Sequence, residues 1–274
     1  MKIEKDGREI RTGDEWFQIA PPKRGREQWV DGRSALECAR AWCEPEGPAV
    51  PAELTGLLAS HPDTTGALVR SVVPEHMVRF DGFRGEPRNT DIAALADHPA
   101  GLIAINVEAK ADEPFDERVH EVLTAVIKRI AADEHTNGVA RIQQLAASLL
   151  PPSVPETSRL GDLRYQLLTG LAGAIAFAIA SKATKTVLVI HEFITERTDD
   201  RKHETNANDL VAFLARLTSG EVRSVVAGRL VGPIAIPGRP LFESVPPLYV
   251  GKVVRNLRGG SSNYRIHPTA FGRG

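Results

Sequence analysis

Asp91, Glu108 and Lys110 are the residues whose types and spacing in this sequence could do chemistry. Two apolar runs, Ile92–Ala96 and Leu102–Val107, flank the turn-type cluster Asp97-His98-Pro99-Ala100-Gly101. That pattern predicts a β-hairpin. With Pro99-Ala100 as a two-residue loop, cross-strand partners have numbers summing to 199, so Asp91 stands opposite Glu108 and Leu95 opposite Ala104. Opposed side chains share a face with Cβ atoms about 5 Å apart. Lys110, two residues past Glu108, falls on the same face. Facing carboxylates repel unless a cation sits between them. A hard divalent ion such as Mg²⁺ or Mn²⁺ binds in this way, through one or two carboxylates with water in the other positions. A lysine beside the ion can orient or deprotonate an attacking water.

Asp91, sixteen further residues and then Glu108-Ala109-Lys110 resembles the signature of the PD-(D/E)xK superfamily, the restriction-endonuclease-like nucleases. The resemblance implies that Asp91 and Glu108 hold the ion and that the Ala109 carbonyl adds a ligand. It also implies that Lys110 acts on the water that attacks phosphate. Thr90-Asp91 stands where the family commonly has Pro-Asp, a departure that leaves the ligand in place. A lone Glu-x-Lys arises by chance, and Asp200-Arg201-Lys202 is a decoy in the polar run Thr195–Asn208 with no hairpin before it. A solvated strand end with a Glu–Lys surface pair is the reading without chemistry.

Other residues gather around this trio. Gln166 shares a helical stripe with Gly170, Gly173 and Phe177. Its position resembles the glutamine that RecB-like members carry after the Glu-x-Lys strand; a buried Gln bonded to backbone fits equally. Ser34 and Glu37 have the spacing of a capping box, which explains Glu37 without chemistry, and the resemblance adds a second role for it at the metal. Arg84 and Arg88 lie in the loop leading to Asp91, and Arg164 adjoins Gln166. These arginines meet phosphates or are plain solvated charges. His191, inside an apolar run, reads as a core histidine.

The elements that must position the trio follow from periodicity. Residues 1–32 read as an irregular segment whose aromatics pack on the core, with helices at Ser34–Cys43 and Ala52–Ser60. Ala67–Val73 and His76–Phe83 read as strands before the hairpin. Val119–Ile130 and Val139–Leu150 show helical spacing and form an inserted α-hairpin at about 115–150. The most apolar helix is Leu160–Ser181, where Gly170 and Gly173 permit close approach to a sheet. Lys185–Thr195 is a buried strand, Asn208–Leu217 a helix, and Arg229–Ile236 and Leu248–Val254 two more strands. The order implies an α/β fold with the restriction-endonuclease-like αβββαβ core. Its mixed central sheet is flanked by helices and its core spans about 34–195, within one domain of residues 1–258. Residues 259–274 read as a flexible tail.

Composition sets outer bounds. Hydrophobic content of 42% and charged content of 25% are those of an ordinary globular chain. The absence of an apolar leader and of a long apolar span predicts a cytoplasmic protein without a membrane partner. Cys38 and Cys43 have neither disulfide nor zinc spacing. From Gly220 onward eight Lys and Arg face two Glu, giving +6, whereas the net charge of the whole chain is −1. A basic segment at about 220–258, including Arg255 and Arg258, suggests a polyanionic partner. The expected function is a Mg²⁺- or Mn²⁺-dependent nuclease acting on nucleic acid, with DNA the expected polymer and a homodimer compatible with it. The alternative is an inactive nuclease-like fold serving as a nucleic-acid-binding or scaffolding module.

Overall fold

The computed structural model describes residues 1–43 and 47–259. One eight-stranded mixed sheet organises them, in the order β2-β1-β3-β4-β5-β6-β8-β7. β3 (Leu68–Val78), β4 (Arg88–Asp97) and β5 (Ile103–Lys110) form an antiparallel meander. β5, β6 (Lys185–Ile194) and β8 (Leu248–Asn256) run parallel. β7 (Leu230–Ile234) closes one edge antiparallel to β8. Every residue of β5 and nine of the ten in β6 are buried. Their continuous apolar runs reflect cover on both faces.

α1 (Gly13–Ile19), α2 (Ser34–Cys43) and α3 (Ala52–Ala59) cover one face, where Trp16, Cys38, Trp42, Leu54 and Leu57 pack on Ile92, Ile105 and Val189. On the other face, α6 (Tyr165–Ala180) and α7 (Asp200–Leu217) lie over Leu188, Ile190 and Val250. α4 (Val119–Ala131) and α5 (Gly138–Leu149) pack outside α6, as the inserted hairpin predicts. Because β5 and β6 are parallel, their connection must cross over a face, and α6 makes that crossing.

The hairpin register has the predicted sum of 199: Ile92 pairs with Val107 and Leu95 with Ala104. Other expectations are corrected. The first 32 residues are not irregular, since β1 (Lys2–Lys5) and β2 (Arg8–Glu9) form a hairpin and β1 joins the main sheet beside β3. Asp6-Gly7, both at positive φ, is the two-residue turn that favours such a hairpin. The two strands expected at 67–83 are one, running through Pro74-Glu75. The helix expected from Leu160 begins at Tyr165, after a short 3₁₀ turn at Leu160–Asp162. α7 starts eight residues before the expected Asn208, capped by the Asp199 carboxylate on the Arg201 N–H, so the decoy Asp200-Arg201-Lys202 is a helix start. The tail expected at 259–274 lies, after Gly259, outside the described residues.

Candidate functional site

β4 changes phase at Asp91. Arg88 lies against Gly173 of α6, whereas Ile92 belongs to the core under α2 and α3. Residues four apart on a regular strand share a face, so the alternation slips between them. The slip is shared by β3. The pairs Pro74–Ile92 and His76–Thr90 bracket Glu75 and Asp91, which therefore stand opposite each other, with Glu75 at a φ of 48°. The β4–β5 ladder ends at Ile92–Val107, one step short of the expected Asp91–Glu108 pair. Beyond it the Asp91 carboxylate accepts the Ala109 N–H at 2.7 Å, a side chain replacing the next backbone rung.

The two predicted ligands thus sit together at one strand end but turn to different surroundings. Asp91 lines a recess of about 100 Å³ with Glu75, Asn89, Ala109, Cys38, Lys23 and others from the α1–α2 side. Glu108 is held under α6. Gln166 Nε2 donates to its Oε1 at 2.5 Å, Lys110 Nζ is 3.3 Å from the same oxygen, and Arg88 Nη2 contacts its Oε2. The Lys110 ammonium also lies 5.4 Å from the centre of the Phe115 ring. Gln166 is therefore bound to Glu108 and not to backbone.

Charge is crowded here. Burial pushes the Asp91 carboxyl well above the ordinary carboxylate range, helped by Glu108 and Glu75 and opposed by Lys110 and the Ala109 N–H. Glu75 is raised mainly by burial and also by Glu108, against a hydrogen bond from Asn89 and the charges of Lys5 and Arg88. Among the described residues no group of three or more His, Cys, Asp or Glu is arranged to hold a metal ion. A magnesium-type ion needs fewer protein ligands, since one or two carboxylates and water suffice. The donors at this end are all hard oxygens. Gln166 Oε1 and Asn89 Oδ1 are buried without a hydrogen-bond partner, so the residues present fit such an ion.

The other predicted site residues separate. Glu37 is corrected on its first reading: its carboxylate accepts the Gly32 N–H at 2.8 Å and pairs with Arg40, while Ser34 Oγ donates to Glu113. No capping box forms, because the chain before the helix turns back onto Glu37 itself. Glu37 is not among the residues lining the recess. Arg164 is bound to Asp209 and the Asp116 carbonyl. Arg255 forks onto Glu53, and Arg258 onto the carbonyls of Thr195 and Thr198 and the carboxylate of Asp200. Two more cations of the basic C-terminal segment have internal partners, Lys252 on Glu192 and Arg223 on the Gly220 carbonyl; Arg265 and Arg273 lie outside the described residues. Arg84 is exposed. His191 is a core histidine, bonded to Glu53 at 2.9 Å. Glu75 and Asn89 had no separate signal, because the break at Pro74-Glu75 reads as a gap between strands and not as a step inside one continuous strand.

The chain belongs to a family described as a domain of unknown function, DUF6946, which matches residues 9–252. Neither a curated protein nor a solved structure matches it. No helix among the described residues is long and apolar enough to cross a membrane.

Proposed function

We propose that this chain is a metal-dependent phosphodiester hydrolase of restriction-endonuclease-like architecture, acting on nucleic acid, with DNA the expected polymer. One observation carries the reading: the β4–β5 ladder stops at the strand end that carries Asp91, Glu108 and Lys110, and Asp91 binds the backbone of the Glu108-Ala109-Lys110 strand. Asp91, Glu108 and the Ala109 carbonyl would hold Mg²⁺ or Mn²⁺, with water in the remaining positions. When bound, the ion supplies Lewis acidity toward a phosphate oxygen and an acidified water. Lys110, an ammonium held by Glu108 and Phe115, would position that water. Gln166 fixes the Glu108 carboxylate, and Arg84 lies on the loop where a phosphate chain would approach.

A second reading has an observation of its own. Glu108 already has two cations and an amide donor around it, which suits a fold that binds nucleic acid or a protein without cleaving. Supercoiled plasmid incubated with the purified chain and Mn²⁺ separates the two. Nicking that disappears with EDTA and with Asp91→Ala supports the hydrolase. Duplex binding without nicking, unaffected by Mn²⁺, supports the module and rejects the hydrolase.

A further inference from the structure

Arg88 has a trough built for it. Its stem lies against α6 at Gly173, where an added Cβ would come within 3.1 Å of Arg88 Cγ. At Gly170 an added Cβ would lie 3.9 Å from Nη2. Gly173, where the same Cβ would also come within 3.2 Å of Val78 Cγ1, leaves room for an arginine that crosses from β4 to Glu108.

The contact at the end of that trough is incomplete. A lasting Arg–carboxylate pair is commonly a fork, two parallel N–H donations onto two oxygens. Arg255 does this on Glu53, with Nε at 2.7 Å from one oxygen and Nη2 at 3.1 Å from the other. Arg88 reaches Glu108 through Nη2 alone, and its Nε is buried without a partner. Lys110 and Gln166 already serve the other carboxylate oxygen. Arg88 therefore occupies the second carboxylate oxygen of Glu108, the one that Lys110 and Gln166 leave. It belongs to the last rung of the β3–β4 ladder, Val78–Arg88, so its side chain can leave with little disturbance of the sheet.

Resting on the hydrolase reading, we propose that Arg88 is a built-in counter-cation that occupies Glu108 in the metal-free protein and is displaced by the divalent ion. A divalent ion and a guanidinium on one carboxylate repel each other, and the freed guanidinium has a phosphate as its natural next partner. Affinity for the phosphate backbone at this site is then switched on by the metal. The substrate class this implies is a polyanion whose phosphate arrives with or after the ion.

The test compares wild type, Arg88→Met, Arg88→Lys and Gly173→Ala. Mn²⁺ affinity is measured by calorimetry, and affinity for a fluorescein-labelled DNA duplex by anisotropy in Ca²⁺ and in EDTA. Arg88→Met should bind Mn²⁺ about tenfold more tightly yet lose the Ca²⁺-dependent gain in duplex affinity. A merely structural arginine would not move these two readouts in opposite directions. Arg88→Lys keeps a cation and should fall between. Gly173→Ala crowds the stem while keeping the arginine and should also tighten Mn²⁺, which preserves the test if Arg88→Met does not fold. Mn²⁺ binding to wild type that neither Arg88→Met nor Gly173→Ala strengthens overturns the counter-cation alone. Absence of Mn²⁺ binding in all four proteins overturns it together with the hydrolase reading.

Discussion

Two glutamates in this protein are equally sheltered, each meets an arginine from a strand, and the two are built differently. In the first turn of α3, Glu53 takes both donors of the Arg255 fork and meets His191 Nε2. Under α6, Glu108 takes an end-on Arg88, a lysine and an amide, and unpartnered polar atoms remain around it on Arg88 and Gln166. A buried charge is tolerable when geometry and hydrogen bonds are complete. The first cluster meets that condition by itself, and the second meets it only in part. The difference teaches that equal burial and equal charge pairing can hide a complete hydrogen-bond set in one cluster and an incomplete one in the other.

The comparison can be broken in four ways. The largest expected effect is on chemistry. Asp91→Ala or Glu108→Ala should lower plasmid cleavage about a thousandfold or more, and Glu53→Ala should change the rate per folded molecule little. Equal losses in all three would erase the distinction between the clusters.

Next comes stability. Glu53→Ala strands Arg255 beside His191 in the core and should cost about 3 kcal/mol. Urea denaturation with an unchanged slope and a lowered midpoint is the expected result; an unmoved midpoint would show that the fork is idle. Glu108→Gln also leaves two cations close together, so the metal-free protein should lose stability and not gain it.

Acid and base should separate the clusters by sign. Burial alone would raise the Glu53 carboxyl, but the hydrogen bonds and charges of His191 and Arg255 outweigh it and leave it well below the ordinary range. A depressed carboxylate contributes stability that is complete above its unfolded value and lost as pH falls toward the folded one. Asp91 is raised mainly by burial, so the folded state binds its proton more tightly than the unfolded one. Its stabilising influence is present in acid and fades as pH climbs from the ordinary carboxylate range to the raised folded value. Asp91→Asn keeps the acceptor for the Ala109 N–H and removes the titration. In EDTA the variant should gain on wild type by up to about 1.4 kcal/mol per pH unit across that window. Parallel stability–pH curves for the two proteins would refute the raised carboxyl.

The smallest effect concerns the nucleic-acid surface. Arg84→Ala should reduce the slope of log K against log salt by about 0.9 on duplex DNA. Arg258, already held by three internal partners, should leave the slope unchanged on replacement by Ala. A flattened slope for Arg258→Ala alone would move the interface to the C-terminal part.

Local pattern was enough to determine the hairpin and its register, the helices Ser34–Cys43 and Val119–Ala131, the buried strand from Lys185 and the apolar helix over the sheet. Apolar periodicity and a Pro-Gly turn act over a few residues and need nothing from the rest of the chain. The identities of Asp91, Glu108, Lys110 and Gln166 as neighbours at one strand end were legible for the same reason. What each of them touches was not. The slip at Glu75 and Asp91 is a change of phase shared by two strands with unbroken pairing on either side, and the Pro74-Glu75 step that makes it looks like an ordinary strand end. Arg88 reaches Glu108 along β4 where Gly173 of α6 leaves its stem room. The pairing of Arg255 with Glu53 joins residues 202 positions apart. Side-chain periodicity fixes which face a residue prefers; only packing of distant elements decides which charge waits there to meet it.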